Sequence, residues 1–318
     1  MAQPSTPELL DPAVDKKHRS FLSAEHQTDL GVFRPRGPGE LLTVDERWTH
    51  RLGAAGLVPL CRLVEARTTE DPEVAARRFY FDRLLIAALV DRWRPETHTF
   101  HLPCEEMTPT LQDVSYLLGL PCAGAAVGVI DMQADWMNDM HQRFGPVERK
   151  EDAPPYVPEF LADARGPTKK WILQFQPTYI HPQANAYAVS RHLEAYLLWL
   201  FGWVMFTSGQ VHLVTRTLVP YAQSIADAHA EDVPQFSWAS AVLAATYRAL
   251  CDACMKKEAL ATFAGCPLLL QLWSYEHFAI GRPVVDRSPY PEEWYGEKEE
   301  DAPIMASLWC RRWISFMM

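Results

Sequence analysis

The chain of 318 residues lacks the features of secreted and membrane-spanning proteins. Its seven cysteines are an odd set that follows no disulfide-framework spacing, which predicts reduced thiols in an intracellular protein. Residues 1–15 contain no apolar core of a signal peptide. The longest apolar run, residues 195–206, falls short of the roughly 20 residues that a membrane span needs. The sequence therefore predicts a protein that is neither secreted nor anchored in a membrane.

Basic charge and catalytic motifs are also missing. The formal net charge is −10, and the arginines of residues 62–94 are interspersed with acidic residues, so direct binding of nucleic acid is not expected. The chain has no GxxxxGKS/T phosphate loop, no HExxH helix and no GxSxG elbow. No catalytic, cofactor-binding or metal-binding residue is assigned on these patterns. We expect the protein to act by binding rather than by chemistry.

Apolar residues, by contrast, are abundant. They make up 48% of the chain, which is enough to build a large core without metal or disulfide support. Helical periodicity dominates, so the sequence predicts a mainly α fold: one large multi-helix globular domain with at most a small β-sheet or hairpin. The domain is predicted to span residues 41–290. Residues 1–40 are predicted to be a flexible leader, and residues 291–318 an acidic linker with a truncated C-terminal end of the domain.

The individual helices are predicted from apolar spacing and from their end signals. Asp71 as N-cap predicts a helix that ends at Pro95, and Thr108 as N-cap predicts a helix that ends at a left-handed Gly119. Further helices are predicted at 133–144, 168–175, 184–206, 213–229, 237–254 and 266–278. Residues 145–167 are Pro-rich and polar and predict an exposed loop.

A short strand is predicted at residues 98–102. Side chains alternate along a strand, so Phe100 is expected to share a face with His98, while His101 points the other way. Pro103 is expected to end the strand, because proline cannot donate a ladder hydrogen bond.

Four separated blocks of the sequence resemble the plant mobile domain family. They read AALVDRWRPETHTFHLPCEEMTPTLQDVSYLLGLP at 87–121, RHLEAYLLWLFG at 191–202, SWASAVLA at 237–244 and LLQLWSYE at 269–276. The family, also labelled aminotransferase-like, includes maintenance-of-meristems and MAIN-like proteins and many transposon-borne copies. Because the blocks occur in order over most of the chain, the resemblance is specific.

The resemblance implies a nuclear protein with a role in meristem maintenance and transposable-element silencing. It implies partners among nuclear proteins, including a phosphatase-like one. No cofactor is expected, because the sequence shows no Schiff-base lysine context and no glycine-rich phosphate cradle. The signature positions, taken as structural or partner-binding, are Trp93, Arg94, Pro95, His98, Phe100, Pro103, Glu106, Thr108, Asp113, Gly119, Trp273 and Glu276.

The chain departs from the family pattern in three places. Glu105 stands where family members usually have glycine, which predicts a strain of about 1–2 kcal/mol if the turn requires a positive φ. Ala239 replaces the glycine common in its block. Family members normally continue beyond the last residues seen here, which is the pattern of a truncated, transposon-derived copy.

Two groups of residues are of the types that bind metals or carry out redox chemistry, and both groups are expected to have structural roles instead. Cys251 and Cys254 form the one CxxC, but they come late in a predicted helix, where the helix dipole disfavours a thiolate. A metal site would need the following residues to converge: His98, His101, Cys104 and Glu106. The strand alternation separates the two histidines, so hydrogen-bonded structural histidines are expected instead.

Glu106 and Asp113 carry the alternative hypothesis, in which the protein is an enzyme or a degenerate relic of one that uses this carboxylate pair. The structural expectation is that Glu106 stabilises the turn and caps the helix, while Asp113 pairs with Arg92 or Arg94. A nucleic-acid-binding transposon protein is the third hypothesis. Six tryptophans are expected in the core: Trp93, Trp171, Trp199, Trp203, Trp238 and Trp273. Any of them that is partly exposed is a candidate anchor for a partner protein.

Overall fold

Helices account for most of the fold. The structure, a computed structural model, describes residues 15–21, 32–65, 81–102, 105–130, 134–210, 212–229, 231–258 and 261–278. The strands of this part form only two small sheets, one of two strands and one of three. Buried apolar residues from Phe33 to Trp273 belong to one core. The mainly α fold with a small sheet that the sequence predicts is therefore confirmed.

The α-helices occur close to where apolar spacing predicts them. They are α1 (Thr49–Ala54), α2 (Val58–Glu65), α3 (Arg83–Arg92), α4 (Leu111–Leu118), α5 (Trp136–Phe144), α6 (Lys169–Leu173), α7 (Ala186–Leu200), α8 (Val219–Asp227), α9 (Trp238–Ala253) and α10 (Pro267–His277). The strands are β1 (Arg34–Pro35), β2 (Trp93–Arg94), β3 (Thr99–His101), β4 (Glu106–Met107) and β5 (Thr262–Phe263). All six tryptophans expected in the core are buried.

Helix α3 has a different N-cap in the structure from the predicted one. Asp82 accepts hydrogen bonds from the backbone N–H groups of Leu84 and Leu85, at 2.9 and 3.0 Å, and so caps the helix. The predicted cap Asp71 lies outside the described residues. The helix also ends earlier than Pro95, because Trp93 already belongs to β2.

Parts of the segment predicted as a flexible leader are packed against the body. Strand β1 pairs in parallel with β5, and the adjacent Phe33 is fully buried. The guanidinium of Arg19 lies 4.4 Å from the centre of the Phe33 ring, and its backbone N–H donates to the carbonyl of Cys254 at 2.8 Å. These described residues therefore contribute to the core. The predicted domain bounds remain a prediction.

Helix α7 lies at the centre of the fold. Asn185 caps it by accepting from the backbone N–H of Ala188 at 2.8 Å, and almost every residue from Ala188 onwards is buried. It continues into one turn of π-helix, Phe201–Met205. Gly202 lies in this turn because a Cβ there would come within 2.2 Å of the Val214 side chain. A helix buried on all sides must pair every charge that it carries.

The charges of α7 are paired in a buried ion network. Arg191 and Glu194, both fully buried, lie 2.7 Å apart, and Arg191 also pairs with Asp227 of α8. Arg143 of α5 reaches Glu194 at 2.9 Å and Asp227 at 2.7 Å. Burial raises the pKa of the Glu194 carboxyl, and the Arg143 guanidinium opposes that rise. Two cations and two carboxylates therefore join three helices.

Replacing Arg191 by methionine should lower the free energy of unfolding by roughly 3–5 kcal/mol, because it removes one of the two cations of the buried network and leaves Arg143 alone to pair with both Glu194 and Asp227. Guanidinium chloride denaturation at neutral pH measures this. As a control, Arg165→Met removes an exposed pair with Asp163 and should leave the free energy unchanged. Equal stability of R191M and the unaltered chain would contradict a structural role for the network.

His192, the next residue on α7, is a buried neutral imidazole. Its Nδ1 lies 2.8 Å from the carbonyl oxygen of Phe175, so Nδ1 carries the proton and donates. Burial lowers the pKa of His192 from 6.5 to about 4, and the positive charges of Arg149 and Arg47 lower it further. The folded protein therefore resists protonation of this ring.

Acid should weaken the fold through His192. Above pH 6.5 the ring is neutral in both states, whereas between pH 6.5 and 4 the unfolded chain takes up a proton that the folded chain excludes. This group should reduce the free energy of unfolding by about 3 kcal/mol across that interval. Denaturation at several pH values should give a flatter profile for His192→Gln. The exposed His50→Gln should keep the original slope, and identical slopes for both variants would refute the assignment.

Candidate interaction site

The signature residues build a three-stranded antiparallel sheet. Strand β2 pairs with β3, and β3 with β4, so that Phe100 lies opposite both Trp93 and Met107. The sequence predicts only the middle strand, at 98–102. Strands of two residues carry no alternation that could have indicated β2 and β4.

One aromatic cluster joins this sheet to two helices. The Phe100 ring lies 4.9 Å from Trp93 and 5.2 Å from Trp273 of α10, measured between ring centres. Tyr247 of α9 lies 5.2 Å from Trp93. Because all three signature rings are buried, Trp93, Phe100 and Trp273 hold the sheet between α9 and α10.

His98 does not occupy the predicted strand. It lies in the preceding turn with φ of 55°, a left-handed conformation that costs about 1 kcal/mol for a side chain with a Cβ. Its exposed ring stacks on Tyr247 at 5.6 Å and 18° and lies 6.0 Å from the Trp93 ring, so it borders the aromatic cluster that contains Phe100. His101 does point away from the buried face of Phe100, as predicted, and its Nε2 lies 3.1 Å from Glu106.

The N-cap of α4 is Thr110 and not the predicted Thr108. The Thr110 hydroxyl accepts from the backbone N–H of Asp113 at 3.3 Å, and Asp113 accepts from the backbone N–H of Thr110 at 2.7 Å. This is a reciprocal capping box. The Thr108 hydroxyl instead lies 2.8 Å from that of Tyr247. Gly119 ends α4 with φ of 65°, which confirms the predicted left-handed C-cap.

The two candidate carboxylates have separate roles. Glu106 lies on β4, where it accepts from Thr99 at 2.9 Å and pairs with His101, so it is not a helix cap. Asp113 caps α4 and lies 3.3 Å from Nε2 of His277 at the end of α10. The expected pairing of Asp113 with Arg92 or Arg94 is therefore wrong. Each carboxylate has its own histidine partner.

Three further signature residues and the two CxxC cysteines are part of the framework. Arg94 is buried on β2, and Glu276 lies in the last turn of α10. Pro95 begins the turn between β2 and β3. Cys254 is buried at the end of α9, where burial raises its pKa to about 12, and its thiol donates to the carbonyl of Cys251 at 3.2 Å. Such a thiol is a poor nucleophile.

The residues weighed as metal ligands and as the end of the strand are not all among the described residues. Pro103 and Cys104 lie outside the described residues. Across the described ranges, no group of three or more histidines, cysteines or carboxylates is arranged to hold a metal ion. No helix in the same ranges has both the length and the apolar content to cross a membrane.

Two partners of the signature residues, Tyr247 and His277, were not predicted from the sequence. Both lie on correctly predicted helices, but nothing in their local pattern shows that they contact residues of the 87–121 block. An open pocket of about 640 Å³ beside α6 was not predicted either, although its wall includes residues of the predicted polar loop at 145–167.

The fold defines the class of protein: it is a helical domain in which a shared aromatic cluster fixes a small sheet between helices. The chain belongs to the plant mobile domain family, whose model matches residues 73–316. The resemblance seen in the sequence is thus confirmed. No solved structure matches the chain.

Three relatives from Arabidopsis thaliana show the extent of the likeness. Protein MAIN-LIKE 2 is 34% identical over 214 residues, covering 67% of this chain and 29% of that protein. Serine/threonine-protein phosphatase 7 long form homolog is 34% identical over 203 residues, covering 64% and 14%. Protein MAINTENANCE OF MERISTEMS is 32% identical over 218 residues, covering 68% and 42%. The chain thus spans less than half the length of these relatives.

Removing the capping hydroxyl by Thr110→Ala should lower the free energy of unfolding by about 1 kcal/mol, because the backbone N–H of Asp113 loses its side-chain acceptor and the Asp113 carboxylate loses the hydrogen bond from the hydroxyl. Thr110→Ser keeps the hydroxyl and should cost only a few tenths of a kcal/mol. Urea denaturation measures both. If Thr110→Ser lowers the free energy of unfolding as much as Thr110→Ala does, the Thr110 hydroxyl does not stabilise α4 as an N-cap.

Proposed function

We propose that this domain is a non-enzymatic protein-interaction module of the nucleus with a role in meristem maintenance and transposable-element silencing. The observation that carries the proposal is the exposure of two large side chains on α4, inside the longest signature block. Leu111 is 40% exposed and Tyr116 is 57% exposed. Exposed aromatic residues on a rigid helix are the usual anchors of protein interfaces.

The polar residues of the same block support binding rather than catalysis. Glu106 and Asp113 are engaged with His101, Thr99, Thr110 and His277. A general acid or base must be positioned against a substrate group, and a nucleophile must have a base beside it. The described contacts of these carboxylates are instead a strand pairing and a helix cap. The hypothesis of an enzyme relic therefore lacks a supporting arrangement.

A phosphatase-like protein is the partner that we propose. One relative carries the name serine/threonine-protein phosphatase 7 long form homolog, and the matched region makes up 14% of it. Sequence like that of the present chain thus occurs within a longer protein named for a phosphatase. That occurrence supports an interaction between this domain and a phosphatase-like protein.

Biolayer interferometry between the purified chain and a purified plant phosphatase-like protein tests the proposal. Tyr116→Ala should raise the Kd at least about tenfold, since truncating a central interface anchor costs about 2 kcal/mol or more. Val129→Ala, a matched change at a side chain that is 84% exposed outside α4, should leave the Kd unchanged.

Absence of binding by the unaltered chain would contradict the proposed partner. Equal loss of binding in both variants would show that α4 is not the contact surface. Comparison of melting temperatures separates either result from misfolding, because both side chains are largely exposed and their removal should not destabilise the fold.

A further inference from the structure

A buried arginine outside the signature carries two hydrogen-bond donors without partners. Arg36 directly follows strand β1 and is only 6% exposed. Its Nη1 donates to the carbonyl of Ser208 at 2.8 Å, whereas its Nε and Nη2 are buried and have no hydrogen-bond partner. Nε and Nη2 lie on one edge of the planar guanidinium, and this edge can bind two oxygens of a carboxylate or phosphate side by side. These two donors, the Arg36 fork, are therefore a complete set for one oxyanion.

The positive charge of Arg36 is not compensated by the described part of the chain. No carboxylate of the described residues forms an ion pair with its guanidinium. Burial lowers the pKa of Arg36 from 12.5 to about 10, and no carboxylate opposes this effect, yet the side chain stays charged at neutral pH. A buried cation without a counter-charge destabilises the folded state, so an anion bound at the Arg36 fork would stabilise it.

The surroundings of Arg36 contain a second cation and an aromatic ring. The guanidinium carbon lies 5.8 Å from the centre of the Trp203 ring, and the Lys169 ammonium lies 5.9 Å from the centre of the same ring. Lys169 pairs with Glu40 at 2.5 Å. One of the two cations on Trp203 therefore has its carboxylate, and the charge of Arg36 remains in excess at this place.

Hydrogen bonds on both sides hold the Arg36 fork in position. Strand β1, which Arg36 follows, pairs with β5. On the other side, Thr207 precedes Ser208 and exchanges two backbone hydrogen bonds with Gly265, at 2.9 and 2.7 Å. The Ser208 carbonyl that accepts from Nη1 is thus itself anchored. A guanidinium held in this way binds an anion without the entropic cost of ordering a long side chain.

Contact geometry, and not the overall charge of the chain, decides binding at the Arg36 fork. The net charge of −10 is spread over the whole chain, and its effect is screened beyond about 8 Å at physiological salt, whereas the two N–H groups act at contact. Lys169 lines the open pocket beside α6 and donates to the carbonyl of Pro38, two residues after Arg36. The pocket thus brings solvent close to the segment that carries the fork. Because the fork itself is buried, the group that binds it must be small.

We propose that Arg36 is the centre of a binding site for a small oxyanion, whose carboxylate or phosphate oxygens accept hydrogen bonds from Nε and Nη2. The site is separate from α4, and the proposal goes beyond the role of an interaction module without depending on it. Carboxylate and phosphate share the pair of oxygens that the Arg36 fork requires, so the experiment compares the two.

Thermal unfolding of the full chain tests the site, because an anion that binds only the folded chain raises Tm. Millimolar phosphate and millimolar acetate are each compared with chloride at equal ionic strength, and the Kd is obtained by titration. At least one of the two oxyanions should raise Tm by about 2–4 °C at a concentration of about ten times its Kd.

Three variants locate the effect. Arg36→Met removes both the charge and the fork, so it should fold with a Tm close to that of the unaltered chain in chloride and show no rise with either oxyanion. Arg36→Lys keeps the charge without the two parallel donors and should lose most of the rise. It carries the comparison if Arg36→Met does not fold. Arg34→Met, the same change at the exposed arginine of β1, should keep the full rise.

Three results would overturn the proposal. The first is that neither oxyanion raises Tm above its value in chloride. The second is that R36M and R36K keep the rise, which would then be the general effect of salts on folded proteins. The third is that R34M loses the rise as fully as R36M. Binding of the phosphatase-like protein through Tyr116 is measured separately, so failure at Arg36 leaves the proposed function intact.

Discussion

The pairing of Arg191 with Glu194 is the constraint on which the arrangement of the helices depends. Both side chains are fully buried in the part of α7, residues 191–200, in which every residue is buried. Each charge therefore requires a partner inside the protein. Arg143 supplies one partner from α5, and Asp227 supplies the other from α8. An apolar core would accept small shifts of these helices, whereas a charge network requires donors and acceptors at fixed positions. We interpret the network as a device that orients α5 and α8 on α7.

A second, uncharged cluster fixes the signature sheet. The rings of Trp93, Phe100 and Trp273 come from β2, β3 and α10, and Tyr247 adds α9. Sheets this small have too few ladder hydrogen bonds to be stable alone, so the aromatic contacts must hold them. This explains why the sequence signature of the family includes three buried aromatic residues. What it presents to solvent is a rigid helix, α4, with Tyr116 on its surface.

Helices were predictable from the sequence because their signals are local. The apolar spacing that predicts helices at 237–254 and 266–278 agrees closely with α9 (Trp238–Ala253) and α10 (Pro267–His277). The cap of α4 was misplaced because Thr108 and Thr110 are both acceptable caps and only backbone geometry distinguishes them. Strands β2 and β4 were not predicted because two residues are too few to show an alternating pattern.

The sequence by itself determined the family, the mainly helical fold, the left-handed end of α4 at Gly119 and the burial of the tryptophans, because each follows from residue type and near-neighbour spacing. Only the tertiary structure decided that Asp113 meets His277 and that Phe160 and Lys170 face one pocket with His212. These groups are far apart along the chain or carried on loops, and their meeting depends on how helices pack. Packing is a property of the whole core, which no local pattern encodes.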